Sequence, residues 1–230
     1  MSKFLRIVEI IIALPRIVLM EMADYCPFGK IGLAFISFGA FTLVFTFWVA
    51  MILFSSLLIH EIGHAWASYS KGRGVKGIYL LPFCGYCMYG DGPASEKTKI
   101  FCSLMGPVFS IALALILGVI FFLNKETVFV FCSFVTALLS VYDLIPIKLH
   151  KSQLFTSDGS KIFGMIFLSG KIRGPNLMLF GVVYIILIVI GLGIAFFSFS
   201  NDFLEKTECF FQPFFCNGIS FWINFFKEYI

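Results

Sequence analysis

The chain has 230 residues, of which 60% are hydrophobic and only 13% charged, with 31 Phe and a formal net charge of +4. No soluble domain of this length has an interior large enough to hide so many aromatic side chains, so the composition excludes an ordinary soluble enzyme and points to a lipid bilayer. The small positive balance sits in loops and comes with no nucleic-acid motif, so it bears on membrane orientation and excludes a nucleic-acid partner.

Residues 1–22 are apolar but interrupted by Arg6, Glu9, Pro15 and Arg16, and no small-residue cleavage site follows. They predict an amphipathic helix over Lys3–Met22, lying on or dipping into the bilayer, with a spanning helix as the alternative. Asp24 to Lys30 is a connector punctuated by Pro27 and Gly29. The uncharged run from Ile31 to Ile59 then exceeds the roughly 20 residues that cross a bilayer as helix. A first span is therefore predicted from Ile31 to about Tyr69.

That span carries His60-Glu-Ile-Gly-His64. A spacing of four puts His60 and His64 on one helical face, a turn apart, where both imidazoles reach one metal ion. Glu61 points about 100° round from His60, toward water at the ion rather than toward the ion itself. This is the division of labour of a zinc metalloprotease: two His ligands, and a carboxylate that takes the proton from water acidified by the metal. Ionisable groups in a membrane helix are costly, about 2.5–3.5 kcal/mol for one charge near its centre, and face a protein interior or a wet cavity. Three within five residues therefore mark a functional site, expected to hold one zinc ion.

Ser70 to Lys76 is a polar, glycine-rich exit, and Gly77 to Tyr89 is apolar and aromatic but broken by Pro82 and Gly85. It predicts an extended hairpin or re-entrant loop. A second span is predicted from about Ile100 to Leu123, with Gly106-Pro107 near its start, and Asn124 to Thr127 is a tight turn. The third span, Val128 to about Ile147, packs antiparallel beside it and ends in Asp143-Leu-Ile-Pro146. A basic loop from Lys148 to Pro175 holds His150 and Asp158-Gly159, and a fourth span follows over about Asn176 to Ser198. The aromatic tail from Ser200 predicts interfacial helices. The fold class is thus an all-α polytopic membrane protein with about four transmembrane helices, an amphipathic N-terminal helix and a short membrane-associated β-hairpin or re-entrant loop. Without internal repeats or linkers, 1–230 is one membrane-embedded domain.

The seven cysteines are odd in number, and Cys102 and Cys132 fall inside spans, so no disulfide framework is expected. Cys84-Gly-Tyr-Cys87 is a single CxxC, read as structural. With four alternating spans, the 71–99 and 148–175 loops share one side and hold ten of the 17 Lys and Arg residues, leaving seven on the other. That bias puts the metal end of the first span toward the cytoplasm, in a membrane expected to be of the bacterial inner-membrane type.

Zinc wants a third protein ligand and an open position. Asp158 and His150 are level on chemistry alone, with Asp143 and Asp91 as further carboxylates, and an Asp-Gly pair is equally a plain turn. His150 lies between Lys148 and Lys151, where a solvated surface is the natural reading.

Taken together, these pieces resemble the site-2 protease family of intramembrane zinc metalloproteases over roughly residues 45–170. The resemblance rests on His60-Glu-Ile-Gly-His64 with Ala65-Trp66-Ala67, on Leu80-Leu-Pro-Phe-Cys-Gly-Tyr86, on Met105-Gly-Pro107, and on Asp143-Leu-Ile-Pro146 followed by Asp158-Gly159. It implies Asp158 as third ligand, Glu61 as general base, and a substrate-presenting region containing Leu81, Pro82 and Gly85, with Asp143 beside it. It also implies a membrane-spanning segment of another protein as substrate. Three positions depart from the family pattern. Asp143 stands where Asn is common, Ser110 replaces a frequent Asn, and eleven residues separate Pro146 from Asp158, more than is usual. An Asn there donates to a developing oxyanion, whereas an ionised Asp cannot. The alternative function is an inactive or regulatory relative that binds zinc or membrane helices without cleaving.

Overall fold

The long apolar run beginning at Ile31 is not one helix. It breaks at Phe45-Thr46 into α1, Gly29–Val44, and α2, Phe47–Ser70. Thr46 is extended, with φ −61° and ψ 155°, and no glycine or proline marks the break. Aromatic packing supplies the reason. Phe38 meets Phe47 and Phe54 edge-on, at centroid distances of 5.9 and 5.5 Å, and Phe41 meets Phe54 at 6.3 Å. Those contacts require α1 to fold back along α2, which corrects the single span expected from Ile31 to Tyr69.

In the computed structural model of the protein, residues 29–146, 157–168 and 175–199 are described. The expected N-terminal amphipathic helix, the aromatic tail and His150 lie outside those residues.

After α2 the chain forms an antiparallel hairpin of β1, Val75–Leu81, and β2, Cys84–Tyr89, with Tyr79 opposite Tyr86 and Leu80 opposite Gly85. The turn puts Pro82 at its second place and Phe83, with φ 58°, at its third. A left-handed third residue after proline is the type II arrangement, usually met by glycine. Phe83 adopts it with its ring 4.8 Å from that of Phe41. Ser37 of α1, fully buried, donates its hydroxyl to the Leu81 carbonyl at 2.8 Å, so α1 and the hairpin tip are joined. Cys84 and Cys87 are three apart in one strand, so their Cα atoms are about 10 Å apart and cannot be bridged.

Helix α3, Glu96–Asn124, starts where the Ser95 hydroxyl accepts the Thr98 N–H at 3.2 Å, with Glu96 in the favourable first turn. It ends where Lys125 turns left-handed, with φ 58°, and α4, Thr127–Leu144, returns beside it. A short helix α5, Asp158–Phe163, runs into a π-helical turn at Gly164–Leu168, and α6, Pro175–Phe199, closes the bundle. Among the described residues, four helices are long and apolar enough to cross a membrane: α2, α3, α4 and, within α6, Met178–Ala195.

The helices stack as α2 on α3, α3 on α4, and α4 on α6. Ala114, Ala137 and Ala195 form a small-residue contact among the last three, as close helix approach in lipid demands. Ser133 donates to the Ala114 carbonyl at 2.8 Å and Thr136 to the Ser56 hydroxyl at 3.1 Å. Such bonds each contribute about 0.6 kcal/mol on average in membrane bundles.

Candidate metal centre

His60 and Ser70 are ten residues apart on α2, which at 1.5 Å per residue sets His60 about 15 Å below the helix end. That distance is about half the roughly 30 Å thickness of a bilayer's hydrocarbon core. His60, Glu61 and His64 are only 8, 4 and 4% exposed. Two glycines make this burial possible. A Cβ at Gly63 would strike the Met105 carbonyl of α3, so glycine lets the two backbones meet. A Cβ at Gly106 would strike both imidazoles. Gly63 brings α3 close and Gly106 leaves the rings room.

Each ring is then tied at its far nitrogen. His64 Nδ1 donates to the Cys102 carbonyl at 2.7 Å, and since a carbonyl only accepts, the neutral ring keeps its Nε2 lone pair free. His60 Nδ1 pairs with the Ser110 hydroxyl at 2.9 Å. The two Nε2 atoms face each other at 3.1 Å.

The third arm comes from the chain's return after α4. The Ser157 hydroxyl donates to the Ile145 carbonyl at 2.7 Å and accepts the Ser160 N–H at 3.1 Å. Gly159 lies against the Leu144 carbonyl, where no Cβ fits. Asp158 is thereby set 8% exposed, with Oδ2 2.8 Å from His64 Nε2 and 3.6 Å from His60 Nε2. Its other oxygen, Oδ1, accepts from Lys161 Nζ at 3.1 Å. Burial alone would raise the Asp158 carboxyl, and the Lys161 ammonium on Oδ1 opposes that rise. The same pairing with Asp158 raises the Lys161 ammonium.

These contacts make a physical test of zinc. His60, His64 and Asp158 offer ligand atoms all within 4.8 Å of one another. Tetrahedral ligands bound at about 2.0–2.1 Å stand roughly 3.3 Å apart, and the observed separations of 2.8, 3.1 and 3.6 Å bracket that value. Two imidazole lone pairs and a carboxylate oxygen turned on one another repel unless a cation sits among them. The donor set fits zinc, and the outer hydrogen bonds are those that orient metal ligands.

Glu61 points elsewhere, as its place in the helix requires. Its carboxylate lies against Gly85 of β2, where a Cβ would collide with it. Asp143, at the end of α4, has Oδ2 3.9 Å from His60 Nε2 and a side chain 40% exposed, so it borders the opening of the site. Leu81 is 1% exposed and packs with Leu33 and Tyr79 under the hairpin, away from the site, while Pro82 forms the turn. Asp91 pairs with Lys76 on the surface at 2.7 Å. Cys87, on β2, is buried, and its thiol is pushed up to about 12 by burial first and by the Glu61 charge second.

Ser110, Cys102, Gly106 and Lys161 were not legible as site residues from ligand spacing. Lys161 carried one usable signal, its i+3 position from Asp158 on a helix.

The description "Peptidase family M50" belongs to the family model that matches residues 48–214. Among curated proteins, a zinc metalloprotease of Methanocaldococcus jannaschii is 25% identical over 182 residues, which is 72% of this chain and 53% of that protein. The chain thus spans about half the length of the curated relative it matches. Among solved structures, a site-2 protease from Methanocaldococcus jannaschii aligns with a TM-score of 0.43 at 24% identity, covering 65% of this chain and 74% of that one. At that score the likeness adds no weight of its own.

Proposed function

The chain belongs to peptidase family M50, and from that premise we propose that it is an intramembrane zinc endopeptidase, with His60, His64 and Asp158 holding one zinc ion. The observation that carries this reading is the convergence of three ligand atoms within 4.8 Å, with both His rings tied so that Nε2 faces the others. A zinc ion held there would polarise the scissile carbonyl and acidify water.

The chain's own residues supply the remaining steps. Glu61 takes the proton from the attacking water and passes it to the leaving amine, as a general base and then acid. Its seat against Gly85 fixes the carboxylate relative to the hairpin. Asp143, at the opening, flanks the entering peptide. The substrate is a transmembrane segment of another membrane protein. A peptide bond in an intact helix is shielded, so cleavage requires unwinding, and unwound backbone in lipid costs several kcal/mol per unsatisfied group. An edge of the hairpin within Ile78–Tyr89 can satisfy those groups by strand addition. The substrate enters from the bilayer, of the inner-membrane type on this reading, and the excess of Lys and Arg in the loops at that end supports a site toward the cytoplasmic side.

Glu61→Gln tests the reading. It is expected to keep zinc, measured as metal content of purified protein, while cleavage of a co-expressed membrane substrate falls by about 10²–10⁴. Near-wild-type cleavage would remove Glu61 from catalysis, and loss of the metal would make it a ligand.

A further inference from the structure

At the end of the bundle where α2 stops and α3 and α6 begin, a cleft of about 160 Å³ is lined by Lys71, Lys97, Thr98, Phe101 and Phe180. Lys71 caps the last turn of α2, Lys97 and Thr98 lie in the first turn of α3, and Phe180 lies in the second turn of α6. These are ends of three helices long and apolar enough to cross a membrane. The cleft therefore opens at the level of lipid headgroups, whatever reaction the metal centre performs.

Its chemistry is two-layered. Lys71 and Lys97 are exposed, while Phe101 and Phe180 are half-buried. Lys71 Nζ sits 4.7 Å from the centre of the Phe101 ring, which holds the ammonium over the cleft. Three other cations at this end have carboxylate partners, Lys76 with Asp91 at 2.7 Å, Lys99 with Glu96 at 3.0 Å and Lys161 with Asp158 at 3.1 Å, while Arg73 lies over the Tyr89 ring at 5.0 Å and outside the cleft. Among the described residues Lys71 and Lys97 have none, and none of the cleft's lining residues is acidic. Two unmatched ammonium groups over two phenyl rings, at a membrane boundary, suit one amphiphile with an anionic head. Basic pockets between membrane helices bind such headgroups.

We propose that this cleft binds the phosphate of an anionic phospholipid, with Lys71 and Lys97 on the headgroup and Phe101 and Phe180 against the upper acyl chains. The free phosphate group is the shared chemistry, and the apolar wall is what selects the lipid.

The full chain in detergent, titrated with dioleoyl phosphatidylglycerol and with dioleoyl phosphatidylcholine and read by native mass spectrometry, tests it. One tightly retained phosphatidylglycerol per chain is expected, with phosphatidylcholine retained far less. Lys71→Gln or Lys97→Gln should each weaken phosphatidylglycerol about fivefold, and the double variant roughly thirty-fold. A matched control, Lys76→Gln with Lys99→Gln, removes two cations from the same end but outside the cleft and should leave retention unchanged. Equal loss in the control, or undiminished retention in the Lys71 and Lys97 double variant, overturns the site. Displacement of the lipid by excess glycerol phosphate as readily as by phosphatidylglycerol would also overturn it, by assigning recognition to phosphate alone. A thermal melt of each variant separates lost binding from lost fold.

Discussion

His64 shows how much one side chain depends on neighbours that are not ligands. Its Nδ1 is committed to the Cys102 carbonyl, its ring occupies the space that Gly106 leaves, and its Nε2 meets Asp158. Asp158 is in turn held by Lys161 through the oxygen that does not face the imidazoles. A carboxylate so placed adds one negative charge to two neutral rings and leaves zinc a net charge of +1, which a buried, low-dielectric site holds more easily than +2. Asp158→Asn is accordingly expected to lose cleavage and to weaken zinc retention, while His150→Ala leaves both close to wild type. A chelator should lower the melting temperature of the wild type but not of Asp158→Asn, because ligand that binds only the folded state stabilises it. The opposite pattern would move the third ligand to His150. At this scale the sequence was legible where chemistry follows from helical spacing. His60 and His64 share a face because four residues make a turn, and the burial around them answers to that. Cys102 was not legible, since it contributes a carbonyl, which every residue has. Ser110 could be seen only as a departure from a family pattern, fifty positions from the His60 ring it orients.

In the proposed reaction the β-hairpin is the element that seats Glu61 beside the metal site. Gly85 on β2 is open on the side where Glu61 lies, and a Cβ there would collide with the carboxylate. Gly85→Ala should therefore displace the end of Glu61 while the fold and the zinc stay. A misplacement of about 1 Å costs on the order of 10² in rate. The expected outcome is a cleavage rate reduced to that extent, with unchanged metal content and a melting temperature near wild type. Loss of zinc would show instead that the strand braces the ligands. Cys87 on the same strand reports the integrity of the packing. With its thiol pushed up to about 12 by burial, it should resist maleimide at pH 8 in the folded protein and react on unfolding, because the thiolate is the nucleophile. The hairpin itself was predictable from Pro82 and Gly85 interrupting an apolar, aromatic run. The break between α1 and α2 was not. No turn residue marks Phe45-Thr46, and the cause is a set of Phe contacts between Phe38, Phe47 and Phe54, visible only once the helices are side by side.

For the whole molecule, the arrangement of helix ends makes a claim about sides. The end of α2, the hairpin, the start of α3, the end of α4 with Asp158, and the start of α6 all gather at one pole of the bundle, through the ties of Ser157 to Ile145 and of Asp158 to His64. The opposite pole holds the two-residue link between α3 and α4 and the end of α6 at Phe199. Because α1 folds back on α2, residue 29 also lies toward the metal-bearing pole, where Lys30 Nζ reaches the Lys76 carbonyl at 3.3 Å. That fold-back moves Lys30 from the poorer side to the richer one, so that among the described residues Lys30, Lys71, Arg73, Lys76, Lys97, Lys99 and Lys161 lie at this pole and Lys125 at the other. A larger excess of Lys and Arg favours the cytoplasm more strongly. Single cysteines placed by Arg73→Cys, Lys151→Cys and Lys206→Cys in a cysteine-free background separate the possibilities. An impermeant maleimide applied to intact cells should label position 206 alone, and after the cells are opened it should label 73 and 151 as well. Labelling of 73 from outside would invert the whole bundle and with it the side from which the metal centre is reached. Labelling of 151 and 206 from one side would remove α6 as a span and leave three crossings, an outcome that its 18-residue apolar stretch, Met178–Ala195, argues against.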